Sequence, residues 1–143
     1  MELSNVAEIL GGEEVLGKRL ESKMDFVELG GRGVTKDAVA HLARYLSLSW
    51  RQMADLLPIT ERTLQRYASE QYLNTIVSEQ VLQIAEVVAR GMEVFGDKSR
   101  LLAWMAQPNI VLADNTPLNL LGSRFGTEMV LDELGRLEYG VYS

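Results

Sequence analysis

Over a helix expected from Ser78 to Phe95, apolar side chains stand at 81, 82, 84, 85, 87, 88, 89, 92, 94 and 95, and beyond the polar first turn only Gln83, Glu86, Arg90 and Glu93 form a narrow polar stripe. A helix that is apolar over most of its circumference must be covered on several sides, and the remaining chain has to supply that cover. Long apolar/polar alternation is missing, Pro occurs only at 58, 108 and 117, and helical spacing recurs. These features predict an all-α fold. The apolar helix is expected to form the spine of the second half, either within one chain or as a join between two protomers.

Other elements follow from local signals. Residues 1–10 and 13–22 read as short amphipathic helices, and Gly30-Gly31-Arg32-Gly33 reads as a linker. Thr35 can cap a helix to about Ser47, with Val39, Leu42, Ala43 and Leu46 on one face and His41 solvated on the other. Ser49 can cap a helix from Trp50 to Leu57, stopped by Pro58. Thr60 opens the next helix, expected to run to about Ser69, with Leu64, Tyr67 and Ala68 inward. Gly96 ends the apolar helix, Asp97 caps one from Lys98 to Ala106 with Trp104 anchored in the core, and Gln107 to Thr116 is irregular. Thr116-Pro117 restarts helix, and a last one covers Phe125 to Tyr139. The expected units are a helical arm at 1–31, a helix-turn-helix region at 32–72 and a second helical domain at 73–143.

Composition excludes much chemistry. The 143 residues contain no Cys and one His, which removes disulfides, thiolate nucleophiles and thiolate metal sites and leaves little imidazole chemistry. No Gly-rich phosphate loop and no metal-ligand spacing occurs, and Glu13-Glu14 and Asp132-Glu133, adjacent in sequence, are expected to be solvated. The chain is therefore expected not to be an enzyme, with no catalytic residues, cofactor or metal. The N-terminus has no basic segment followed by an apolar run, and no stretch approaches the roughly 20 apolar residues of a membrane span. A cytoplasmic location without a membrane partner is expected.

The net charge of −6 is unevenly distributed: residues 1–31 carry −4, 32–68 carry +3 and 69–143 carry −5. Only the basic middle suits nucleic acid, and there the run Leu48 to Tyr67 has the helix-turn-helix pattern of two short helices and a tight turn. Arg62, Gln65, Arg66 and Ser69 fall at i, i+3, i+4 and i+7, an outward stripe whose Arg and Gln suit guanine and adenine edges in a major groove. Thr60 and Thr63 are placed for phosphates near the helix start, and Arg51 adds a cation from the preceding helix. Glu61 repels phosphate and must point aside or accept from cytosine. An acidic chain gains little from counterion release, so operator binding calls for a dimer or larger assembly. The same pattern also fits an ordinary three-helix bundle. At the other end Tyr139, Val141 and Tyr142 crowd the last five positions, where chain ends are usually polar; such a tail docks either on its own core or on a partner.

The run Gly33-Val-Thr-Lys to Arg62-Thr-Leu-Gln-Arg66, then Ala89-Arg-Gly-Met-Glu-Val-Phe-Gly-Asp97, Trp104-Met-Ala-Gln-Pro-Asn109, Asn115-Thr-Pro-Leu118 and Gly135-Arg-Leu-Glu-Tyr-Gly-Val-Tyr142, resembles the Xre/MbcA/ParS antitoxin family over residues 33–143. The resemblance implies an Xre-like DNA-binding region followed by a helical toxin-binding domain. It implies a RES-domain toxin as partner, an ADP-ribosyltransferase-like protein that consumes NAD, inhibited by the C-terminal segment. Arg136, Tyr139, Gly140, Val141, Tyr142 and Ser143 would then contact the toxin, and the chain would repress its own operon as a homodimer or larger toxin–antitoxin complex. The alternative is a free-standing helix-turn-helix regulator without a toxin. One departure from the family pattern is Asp114-Asn115, which stands where a Gly-rich turn is expected before Thr-Pro-Leu.

Overall fold

The computed structural model describes residues 2–140, and within them the regular structure is helical apart from two isolated bridges. The helices in chain order are α1 (Glu2–Ile9), α2 (Glu13–Leu16), α3 (Lys23–Arg32), α4 (Lys36–Tyr45), α5 (Trp50–Asp55) and α6 (Glu61–Arg66). They continue with α7 (Thr75–Phe95), α8 (Lys98–Met105), α9 (Pro117–Leu120) and α10 (Arg124–Gly140), with a 3-10 turn at Ile110–Leu112 between α8 and α9. No helix among the described residues is long and apolar enough to cross a membrane.

The apolar helix is α7, and it is longer than its periodicity suggested because Asn74 caps it by accepting from the Val77 N–H (2.9 Å). Val81, Ile84, Ala85, Val87 and Val88 are buried, and α1, α3, α8 and α10 all pack on this one helix. The residues expected to form an arm are part of that cover: Val6 and Ile9 of α1, and Leu10 just after it, are buried in the same core.

The glycine linker expected at 30–33 is not one. α3 continues through Gly30, Gly31 and Arg32, running antiparallel to α7, with Lys23 Nζ 3.1 Å from Glu86 at one end and Gly30 against Glu79 at the other. The chain leaves α3 at Gly33 (φ 105°), where an added Cβ would lie 2.4 Å from the Leu73 carbonyl oxygen. That close approach lets residues 33–35 run beside 72–74. Leu73 N–H donates to Val34 O (2.8 Å), and the buried Ser78 hydroxyl accepts from Val34 N–H (2.9 Å) and donates to Leu73 O (3.2 Å).

The caps expected at Thr35, Ser49, Thr60, Asp97 and Thr116 each accept a hydrogen bond from their own helix's first turn. Ser49 is reinforced by Gln52, whose side chain accepts from the Ser49 N–H (2.8 Å). Three side chains depart from expectation. Trp104 is only half-buried, its ring 5.5 Å from Phe95, while Leu101 and Met105 anchor α8. His41 is half-buried, and its ring fills the space beside Gly11. Glu133 is buried rather than solvated, because it lies one turn from the core residue Val130.

Candidate functional site

Two surfaces collect the residues singled out by sequence. The first is α5, the turn after it and α6. Met53, Ala54, Leu56, Leu57 and Leu64 are buried, so the two short helices pack on each other through one face and leave the other to solvent. Arg51, Arg62 and Arg66 are exposed and make no ion pair among the described residues. Thr60 caps α6 through the Thr63 N–H (3.1 Å), and its hydroxyl also donates to the Thr63 hydroxyl (2.9 Å). Gln65 donates to the Glu61 carboxylate (3.3 Å) from the next turn, which draws that acid along the helix surface.

Ser69 is not on this helix. α6 stops at Arg66, and the chain turns extended at Tyr67 because the Lys36 ammonium takes up two carbonyl oxygens there, Gln65 O at 2.9 Å and Tyr67 O at 2.8 Å. Ser69 is exposed in the following turn, where its carbonyl accepts from Asp37 N–H (3.0 Å), and Ala68 is exposed as well. The outward stripe of α6 is therefore Arg62, Gln65 and Arg66. Lys36 also lies 5.8 Å from the Trp50 ring centroid, so one cation ties the start of α4, the start of α5 and the end of α6 together.

The second surface is on α10. Residues 125, 129, 132, 136 and 139 recur every three or four positions and fall on one face. Phe125 (79% exposed), Met129 (42%), Asp132, Arg136 and Tyr139 (75%) stand outward there. Arg136 already has a partner: its Nε and Nη2 donate to the two carboxylate oxygens of buried Glu133 at 2.8 and 2.7 Å, and its side chain remains half-exposed. Gly140 is the last residue of α10, and Val141, Tyr142 and Ser143 lie outside the described residues. Beside the stripe, the 3-10 turn presents Ile110 (86% exposed) and Val111 (56%) to solvent. Helical periodicity could not single these two out. The available signal was a pair of β-branched residues placed inside a turn of Pro, Asn and Asp.

Residues 25–86 match the model of the antitoxin Xre-like helix-turn-helix domain, and residues 90–140 match that of the antitoxin Xre/MbcA/ParS C-terminal toxin-binding domain. The chain belongs to the Xre/MbcA/ParS antitoxin family. The antitoxin is 27% identical over 113 residues to Antitoxin Xre of Yersinia enterocolitica, covering 78% of this chain and 76% of that relative. Its fold is shared with a chain of the M. tuberculosis MbcT-MbcA toxin-antitoxin complex, at a TM-score of 0.56 and 19% identity over 76% of this chain and 96% of that one. The two matched segments meet within α7, so the antitoxin's helix-turn-helix and its toxin-binding domain share one buried spine. Such an antitoxin acts by binding and is not an enzyme.

Proposed function

We propose that the antitoxin neutralises a RES-type, NAD-consuming toxin by covering its active site with Arg136, Tyr139, Gly140 and the following Val141, Tyr142 and Ser143. The observation that carries this reading is the exposure of Tyr139. A large aromatic ring stands in water on the last described turn of a domain whose family binds toxins, and exposed aromatics of this kind are enriched where partners dock. The likeness to a chain from a toxin–antitoxin complex and the resemblance of residues 89–142 to RES-paired antitoxins support it.

The same chain represses its own operon through α5 and α6, as a dimer or as part of a larger toxin complex. Arg62 and Arg66 read bases from the outward face of α6 once Gln65 and Glu61 separate, while Thr60, Thr63 and Arg51 meet phosphates. The net charge of −6 supports the need for an assembly, because one basic patch on an acidic chain neutralises few phosphates.

The test is co-purification with the cognate RES-type toxin and an NAD-consumption assay. The parent chain should abolish turnover, and deletion of Val141–Ser143 should restore it; a deletion that inhibits as well as the parent refutes the covering tail. For the operator, Arg62→Ala with Arg66→Ala should abolish specific binding, whereas Arg51→Ala should weaken binding to all sequences alike and flatten the salt dependence by about one unit of slope.

A further inference from the structure

The 3-10 turn is a braced apolar tip. Asn109 anchors it on both sides: its side-chain oxygen accepts from Val111 N–H (2.9 Å), its own N–H donates to Asn115 O (3.0 Å), and its carbonyl accepts from Asp114 N–H (2.9 Å). The Asn115 amide closes the loop onto Leu112 O (3.0 Å), and Leu112 is buried as the foot of the tip. Ala113 and Asp114 are held at φ 58° and 64°, left-handed values that Asp tolerates and that Ala adopts only at a cost. All this fixes Ile110 and Val111 outward, exposed among the described residues. Between the tip and α10 lies an open groove of about 230 Å³ lined by Val111, Leu112, Met129, Asp132, Glu133 and Arg136.

We infer that this tip and groove are a docking surface for the toxin, adjoining the blocking tail at Arg136 and distinct from it in effect. The inference rests on the reading that the chain binds a toxin. Three observations select that occupant. The surface lies wholly inside the segment matching the toxin-binding domain. It is also continuous with the tail: Met129, Arg136 and Tyr139 share one face of α10, and Tyr139 stands about 15 Å along the helix from Met129, so a protein that accepts the tail is brought against the groove. Finally, a stable protein interface engages about 20–30 residues a side, which the eight residues from Arg136 to Ser143 cannot supply. DNA does not fit, because Ile110, Val111 and Met129 offer phosphates no donor, Asp132 repels them, and the Arg136 guanidinium is already held by Glu133. A rigid apolar tip loses little freedom on binding, which suits an anchor inserted into a partner's pocket.

Docking and blocking therefore separate by mutation. The experiment uses the full-length antitoxin and its cognate RES-type toxin, with affinity measured by calorimetry and inhibition by NAD consumption. Ile110→Asp with Val111→Asp should weaken toxin binding at least about 100-fold, with unchanged melting temperature, operator binding and self-association. Met129→Lys, on a different element, should weaken it about tenfold or more. Deletion of Val141–Ser143 should leave binding within about tenfold of the parent while abolishing inhibition. A double variant that binds toxin as tightly as the parent overturns the surface, as does one whose defect is loss of self-association. A parent chain that leaves the toxin unbound overturns the toxin reading itself and the surface with it.

Discussion

Arg90 of α7 and Glu138 of α10 meet in a two-point ion pair, with the guanidinium nitrogens 3.2 and 2.5 Å from the two carboxylate oxygens. Arg90 also reaches Glu93 at 3.3 Å. The hydrogen bonds from Arg90 hold the Glu138 carboxyl below the usual carboxylate range, and those accepted by Glu138 push the Arg90 guanidinium up. The pair pins the last turns of α10 to the spine, one residue before Tyr139.

Glu138→Gln should lower the melting temperature at neutral pH, and so should Arg90→Met. Because the folded-state pKa of Glu138 is depressed, its contribution is present above the unfolded value of about 4.3 and disappears as pH falls through the lower folded value. The gap in melting temperature between parent and Glu138→Gln should therefore be full at pH 7 and close in acid below about pH 4. Equal gaps at both pH values would show that the ion pair is not the cause. Exchanging the two charges, Arg90→Glu with Glu138→Arg, should recover part of the loss.

Lys36 should matter to the helix-turn-helix out of proportion to its exposed neighbours. Lys36→Met removes both charge-assisted hydrogen bonds to the end of α6 and should cost about 1–2 kcal/mol. Amides of residues 62–66 should exchange faster with solvent, operator affinity should fall, and toxin affinity should stay at the parent value. Retained operator affinity alongside faster exchange would mean that the end of α6 does not contact DNA.

What was legible in the sequence was mostly local chemistry. Thr35, Ser49, Thr60, Asp97 and Thr116 cap helices because a short side-chain oxygen next to orphan N–H groups needs no help from the rest of the fold. The apolar girth of α7 was equally plain. Misplaced residues were those whose role depends on a distant partner. Gly30 looked like punctuation, yet it sits inside α3, where Glu79 of α7 leaves little room for a side chain. Ser69 looked like the fourth member of a helical stripe, but Lys36, 33 residues earlier, ends that helix. Glu133 looked solvated because its neighbour Asp132 is, and the 100° between them sends one inward and the other out. The outward face of α6 and the crowding of aromatics toward the C-terminus were visible; the exposed tip at Ile110 was not, since it belongs to no period.

Gly33 is the position least tolerant of a side chain at the entrance to the helix-turn-helix. Gly33→Ala would meet both a positive φ of 105° and a carbonyl oxygen 2.4 Å from the new methyl group. The loss should exceed about 1 kcal/mol, read as a lower denaturation midpoint at unchanged slope. Gly31→Ala, inside α3 and with open space around the new Cβ, is the control and should be neutral or slightly stabilising. Equal behaviour of the two variants would rule out the proposed contact with Leu73.

The turn at Ala113-Asp114 should be improvable, because two residues with side chains hold the left-handed geometry that glycine adopts freely. A left-handed conformation costs an L-residue roughly 1–2 kcal/mol, and glycine removes that cost while adding about 0.4–1 kcal/mol of unfolded-state freedom. Ala113→Gly, at φ 58°, should therefore stabilise the chain by about 0.5–1 kcal/mol. That corresponds to a rise of roughly 2–4 °C in melting temperature for a chain of this size. The backbone hydrogen bonds from Asn109 to Asn115 and from Asp114 to Asn109 do not involve the Ala113 side chain, so the tip should keep its shape and Ile110 its exposure. A lower melting temperature would mean that the Ala113 methyl contributes packing that outweighs the backbone strain, and Asp114→Gly, at φ 64°, would then separate the two effects.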